Sequence, residues 1–584
     1  MAYKSGRESG RIFMLKNRNL DTFIRIKRIF PPKLHHTLNL HQKNRLMGYT
    51  GGRAWLRFVL LGLVLWMNMG QVSGQNGQSG RITGDFELFQ NFFFLDSNIL
   101  SNPIPPQYYQ QLSSTEAWLN MNYRSDDVQA GIRFDMFMNS GLRDPQKAFN
   151  NQGVGFWYVR KQLDKLELTA GNIYDQFGSG VTFRAYEARG QNLDYALFGL
   201  HARYKLSDEW VVKGFVGRQK FQFDTYKPVL KGLNLEGGMA LGNKIQFRPG
   251  FSVVNRTLDN SSMQQVVRDI ENLPVARRFV PKYNAFAYSA YGSLDAGAFS
   301  WSFEAAGKSR EAVLNREGSL VNEPGSVLMT GLGYSQQGLG VNVLYKRTSF
   351  YEFRVSPLEN LNNGLVNFIP PTARMNTYRL TARYAPATQL IGEQGFQADV
   401  VLQTGKKSNL LLNGSHVDDL SGQPLFRELY AEYKWKPSRS FQWMLGAQRL
   451  TYNQSIYEFK PNAPLVEVFT PFTELTWKRN KKESVRFELS HMNTKQDLGS
   501  WWWGLLEYNI APRYSFSIMD MWNYGNKDPE KRIHYYTVFG AVNLPKFRLT
   551  GGYVRQVQGV ICTGGVCRVE PAFNGMRFGM SATF

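Results

Sequence analysis

Between Arg81 and the end of the chain, apolar and polar residues alternate at period 2 in segments of roughly 9 to 13 residues, as in strands that show two different faces. In 128–139 (VQAGIRFDMFMN), Val128, Ala130, Ile132, Phe134, Met136 and Met138 form an apolar face, while Gln129, Arg133, Asp135 and Asn139 lie opposite. In 195–206, Ala196, Phe198, Leu200, Ala202, Tyr204 and Leu206 oppose His201, Arg203 and Lys205; in 396–404, Phe396, Ala398, Val400 and Leu402 oppose Gln397, Asp399 and Gln403. A soluble sandwich alternates in the same way, so the connections carry the distinction. Short polar turns at 126–127, 163–165, 207–209, 242–243, 295–297, 337–338, 437–439, 479–483 and 543–546 alternate with long loops at 96–112, 140–153, 175–194, 257–281, 353–374, 405–423 and 559–571. Turns at one rim and loops at the other predict an all-β fold: a single large antiparallel transmembrane β-barrel with short periplasmic turns and long extracellular loops. Counting segments gives about 24 strands, within a range of roughly 22 to 26.

The last residues point the same way. The stretch 573–584 (FNGMRFGMSATF) ends on an aromatic and sets Met576, Phe578, Met580, Ala582 and Phe584 on one face. It resembles the C-terminal strand read by the barrel-assembly machinery, so Phe578, Met580, Ala582 and Phe584 are the expected assembly signal. Trp118, Tyr123, Trp210, Trp435, Trp443, Trp477, Trp501 and Trp522 are candidates for interfacial girdles. A closed barrel is the β architecture that crosses lipid with every backbone group paired.

Composition excludes the helical alternative. A mean hydropathy of −0.37 does not accommodate a bundle of apolar spans of about 20 residues each. The one long apolar run, 58–67 (FVLLGLVLWM), follows Arg53 and Arg57 and precedes Val72-Ser73-Gly74, the arrangement of an export signal with a small-residue cleavage site. A start at Met47 gives that signal ordinary length. The expected division is therefore 1–46 as a mis-start or disordered basic extension, 47–74 as signal peptide, and 75–584 as barrel. The formal charge of +23 then falls to +12 for 75–584, which removes most of the case for nucleic acid. The first strand begins within about ten residues of the expected cleavage site, which leaves no room there for a separate plug domain, so the lumen is expected to be water-filled or blocked by its own loops and inward side chains.

The most distinctive stretch is 172–199, NIYDQFGSGVTFRAYEARGQNLDYALFG. Its YDQFGSG, RAYEARG and DYALFG runs resemble a signature of an uncharacterised family of outer-membrane β-barrels from Bacteroidota, a domain of unknown function. The resemblance extends over most of the chain after the signal, including Pro370-Pro371 ahead of a strand at Tyr378 and a turn at Gly392-Glu393. It implies location in the outer membrane and a barrel fold, and brings no substrate or catalytic residue.

Arg184, Glu187 and Arg189 are candidates for a pore constriction. A loop with both charge signs between two lumen-lining strands either folds inward to narrow the pore, with a transverse field suited to small polar solutes, or is pinned to the wall by salt bridges. Arg133, Asp135, Arg203, Glu428, Glu432, Lys434, Arg486 and Glu488 are expected on the lumen wall. Cys562 and Cys567 (CTGGVC), the chain's 2 cysteines, are expected to close a small disulfide loop in an oxidising compartment; with no His nearby they leave a tetrahedral metal site half empty. His201, His416, His491 and His534 remain after the signal, and Ser490 and His491 point to opposite faces of one strand, so no catalytic dyad forms there. Neither catalysis, a cofactor nor a metal is expected. The expected partners are outer-membrane lipid and lipopolysaccharide, the barrel-assembly machinery and an envelope protein. The leading functional expectation is a porin-like channel for small hydrophilic solutes; the alternatives are a structural or assembly partner of an envelope secretion or export machine and, third, a barrel enzyme.

Overall fold

A computed structural model describes residues 80–584 apart from 101, 102, 143, 145, 564 and 565, and leaves aside the side chains of 191 and 560–569. The expected extension at 1–46 and signal peptide at 47–74 lie outside the described residues. Twenty-four antiparallel strands form one closed sheet. The first strand, Arg81–Phe93, pairs with the second, Ser113–Arg124, on one side and with the last, Phe573–Thr583, on the other. At the seam, Gly84 and Phe584 exchange backbone hydrogen bonds of 2.9 Å in both directions. A Cβ at Gly84 would collide with the Phe584 ring, so the final aromatic seats where glycine leaves room. Among the described residues no helix is long and apolar enough to cross a membrane; the strands make the crossing.

The alternation read from the sequence orients the wall. Leu200 and Leu429, 60% and 66% exposed, face outward with Phe396, Ile518 and Phe578, while Arg133, Asp135, His201 and Glu428 are buried on the inner side. An outward apolar surface of this extent is what hydrocarbon requires. Two of the proposed girdle residues are exceptions. Trp118 (4% exposed) and Trp501 (0%) face the lumen, where Arg189 and Arg383 stack on their rings, because each sits at the inward parity of its strand. Tyr123, Trp435, Trp477 and Trp522 are exposed on the outer wall.

Turns and loops alternate strictly by rim. The first group runs from 125–127 to 545–546 and shares its rim with both ends of the described chain. Several expectations need correction. The stretch 405–423 is not a loop: Gly392–Gly405 and Ser408–Asp418 pair as a hairpin around Lys406-Lys407, and Leu410 and Leu412 continue the outer alternation. Gly392-Glu393 is no turn but the start of that strand, and no strand forms at Tyr378. The loop read as 353–374 is part of a longer connection, 350–391, which runs inside the barrel. The expected loop at 559–571 holds a small hairpin, Gly559–Thr563 with Val566–Glu570.

Two connections position the interior. The 174–196 loop folds onto the inner wall, with Phe177, Val181, Phe183 and Ala185 packed against Leu197, Phe215 and Leu230. Tyr351, Phe353, Val355, Val366 and Ile369 of the 350–391 segment join that cluster, and Leu380 and Tyr384 join a second one with Phe426, Tyr452 and Trp501. Both packed clusters lie inside the barrel, which is why residues of an irregular segment reach exposures near zero. At the long-loop rim, the connection after Ile245–Thr257 carries the helix Asn260–Glu271, capped by Asp259, whose carboxylate accepts from the backbone N–H groups of Ser261 and Ser262.

Candidate functional site

The site is the lumen itself, shaped by the 174–196 and 350–391 segments. Gly178 (φ +54°) and Gly180 (φ +98°) occupy the left-handed region in the turn of the first of two short hairpins, which lets the segment fold back on itself so that Asp175 and Gln176 pair with Ala185 and Arg184. Ser179 donates to the Glu304 carboxylate through both its backbone N–H and its hydroxyl, and Thr182 hydrogen-bonds Ser252 at 2.7 Å. These contacts come from strands far along the chain and hold the loop against the wall.

Arg133 is the electrostatic hub. Its guanidinium, 3% exposed, donates to Asp135 at 2.6 Å, to Glu187 at 2.6 Å and to Asp194 at 3.0 Å. Lys220 pairs with the same Asp194, and Tyr174 donates to it at 2.9 Å. Asp194 therefore stays below the usual carboxylate range: burial raises its pKa, but Lys220 and Arg133 outweigh burial. A Cβ at Gly155 would collide with the Asp135 carboxylate, so glycine makes the space for this cluster.

The three candidate constriction residues enter this arrangement in different ways. Glu187 bonds Arg133 and Arg189, and Arg189 reaches Glu87 on the first strand at 2.8 Å. Arg184 makes cation–π contacts instead, 4.5 Å from the Tyr186 ring and 4.3 Å from the Phe368 ring. Two of the three are thus ion-paired to the wall, and the third grips the other lumen segment.

That second segment crosses the lumen. Its entry is held where Lys308 donates to the Glu352 carbonyl at 2.6 Å and Arg256 to that of Arg354 at 3.4 Å, both cations also binding Glu311. Gln219 of the seventh strand, Val211–Phe221, reaches the Leu365 carbonyl, and Arg184 and Phe368 give backbone N–H groups to Val366 and Gly180 across the two segments. Farther along, Asn376 bonds Glu428, Gln448 reaches the Thr381 carbonyl, and Tyr384 donates to Asp497 at 3.0 Å. Arg383 lies 4.5 Å from the ring of Trp501, on the twentieth strand. The contacts thus join opposite sides of the wall.

The other expected wall residues also point inward. Arg203 lines a cavity of about 290 Å³ with His201, Asp175 and Lys213, where His201 meets Asp175 at 3.0 Å. Glu432 accepts from Tyr430, Arg486 bridges Glu474 and Glu488, and Lys434 sits with Lys406, Lys407, Lys436 and Arg439 around a hollow at the short-turn rim. His416 and His534 pair with Asp418 and Asp520, and His491 with the Tyr524 hydroxyl. Among the described residues, no group of three or more His, Cys, Asp or Glu is arranged to hold a metal ion. The side chains of Cys562 and Cys567 lie outside those described, although the backbone register sets the two positions opposite each other. Sequence reading missed Arg256, Lys308, Lys346 and Arg379, since inward parity alone does not show that a lysine will be buried under another segment.

A further cavity lies beside the last strands. A cavity of about 520 Å³ separates Arg379 of the crossing segment from Phe89, Trp503, Thr537, Gln556 and Arg577 on the wall.

The family of unknown function DUF6029 matches residues 55–584, and the chain belongs to that family. No curated protein matches the sequence. Among solved structures, the chain is similar to the siderophore receptor PirA from Pseudomonas aeruginosa, at 8% identity and a TM-score of 0.39, covering 87% of this chain and 81% of that one. It is similar to the P pilus usher PapC translocation pore at 9% identity and a TM-score of 0.38, covering 86% and 99% respectively. With OccAB4 from Acinetobacter baumannii, identity is 10% and the TM-score 0.34, over 76% of this chain and 99% of the other. The closed wall with its outward apolar surface makes the protein an outer-membrane β-barrel.

Proposed function

We propose that this DUF6029 barrel is a channel for small hydrophilic solutes whose bore is set by its own inward segments. The observation that carries the reading is the 350–391 segment. It is tied to opposite sides of the wall, yet leaves a space lined by Arg379, Arg555 and Arg577 beside the last strands instead of filling the whole section. A wall of 24 strands encloses far more area than a small-solute path needs, and such barrels are commonly narrowed or plugged from within. The Arg133 cluster keeps the 174–196 loop flat against the wall, so Glu187 and Arg189 shape the bore by holding the loop in place.

The test is single-channel conductance of the full-length protein in planar bilayers, beside a variant in which 357–388 is replaced by a short Gly-Ser linker. Small steps from the native protein and several-fold larger ones from the variant are expected. Silence from both, with each shown by heat-modifiable migration to be folded, overturns the channel reading.

A further inference from the structure

The cavity of about 520 Å³ between the crossing segment and the last strands has a one-sided chemistry. Arg379, Arg555 and Arg577 line it, and no Asp or Glu does so among the described residues. The three cations differ in how far they are already engaged. Arg555 is held by Asp96 at 2.8 Å and by the His534 carbonyl at 2.7 Å. Arg577 donates to Gln556 at 3.2 Å and lies 4.1 Å from the ring of Phe573, contacts that fix its direction.

Arg379 makes no hydrogen bond or ion pair among the described residues, although it is half-buried. Burial and the neighbouring Arg383 both lower its pKa, and Glu570 opposes them in part. A guanidinium remains charged under such pressure, so the site carries an unmet demand for negative charge. A second observation is independent of charge. Gln556 spends its carbonyl oxygen on Arg577, and its buried Nε2 has no hydrogen-bond partner. An orphaned buried donor is costly, and an acceptor in the cavity would recover that cost. Asn91, Ser517, Thr537 and Thr550 supply further polar groups around it, and Trp503 a flat apolar wall.

We propose that this cavity binds a small carboxylate solute between Arg379 on the crossing segment and the Arg577–Gln556 pair on the wall. The guanidinium fork matches a carboxylate in geometry, and the amide Nε2 takes a remaining lone pair. The proposal deepens the channel reading and rests on it for the solute's route, because it names the class of solute that the path selects.

The test compares gluconate with glucose, which differ in charge and little in size. In proteoliposome swelling with the full-length protein, gluconate is expected to enter several-fold faster than glucose; R379Q and R577Q should bring the two rates together, and R379K should restore part of the preference. Equal rates through the native protein overturn the carboxylate site and leave the channel standing. If neither solute enters through folded protein, the channel reading falls, and calorimetric titration of detergent-solubilised protein with gluconate decides the site alone. Binding weakened about tenfold by R379Q, the loss expected for one charge-assisted hydrogen bond, upholds it, and no heat from the native protein overturns it.

Discussion

Lys346, wholly buried on a barrel strand, donates from Nζ to the carbonyl oxygen of Pro370 at 2.6 Å, so a cation of the wall holds the backbone of the segment that crosses the lumen. The same ammonium bonds the Thr388 hydroxyl at 2.8 Å and pairs with Glu393 at 2.8 Å. One side chain thereby fastens the middle and the return of the 350–391 segment to the start of the next strand.

Lys346→Met is expected to leave Glu393 buried without its partner, at a cost of about 3–5 kcal/mol, and to loosen the segment. The measurements are the thermal midpoint of the detergent-solubilised barrel, which should fall, and channel conductance, which should rise or flicker. The double replacement Lys346→Met with Glu393→Met should recover much of the stability, because no lone charge is then left inside, while the tether to Pro370 stays lost.

Arg133 and Arg189 should behave differently although both bond Glu187. Arg133→Gln leaves Asp135 buried without its cation and takes one of the cations from Glu187 and Asp194, whereas the Arg189 partner Glu87 is 36% exposed at its side chain and can be solvated. We expect Arg133→Gln to destabilise by several kcal/mol and Arg189→Ala by about 1 kcal/mol or less. Unfolding midpoints, together with limited proteolysis within 174–196, check the order; equal effects would show that Arg133 is not the hub.

Asp259 caps the Asn260–Glu271 helix, and its pKa falls to about 2: burial raises it, but hydrogen bonds from Ser261 and Ser262 outweigh burial. Its folded pKa lies below the unfolded value near 3.9, so the cap's contribution is complete above about pH 4 and is lost as pH falls toward 2. Protection of the amides in the helix's first turn, relative to their intrinsic exchange at each pH, should fall over that interval. Asp259→Ala should show the lower protection at neutral pH, equivalent to about 1 kcal/mol.

Phe584 closes the seam against Gly84 and ends the strand that carries Phe578, Met580 and Ala582. Phe584→Ala is expected to lower the yield of heat-modifiable barrel in the outer membrane without changing the stability of the molecules that do assemble by more than about 2 kcal/mol. Normal yield would separate the terminal aromatic from assembly.

Cys562 and Cys567 occupy facing positions of the short hairpin in the last long loop. Mass spectrometry after alkylation is expected to show both thiols blocked from reagent until a reductant is added, with a mass difference of two hydrogens. Alkylation of the untreated protein would exclude the disulfide.

By itself the sequence determined the wall. Period 2 is a local property, and each strand's inward and outward faces follow from parity, so Arg133, His201 and Glu428 could be assigned to the lumen, and Phe396 and Phe578 to the lipid, without any coordinates. The alternation of short and long connections likewise marked the two rims. The sequence misled where the local signal was ambiguous: at 405–423, where Lys406-Lys407 makes a tight turn, and at Trp118 and Trp501, whose residue type suggested a girdle while their parity placed them inside. Only the tertiary structure decided what fills the lumen. The 350–391 segment has no strand period, and its partners, from Gln219 through Lys346 to Asp497, are scattered over nearly three hundred positions. Arg133 similarly meets Glu187 and Asp194 across 54 and 61 residues. Which inward charge finds which partner depends on closing the barrel and folding a loop into it, and no local pattern of residues encodes that meeting.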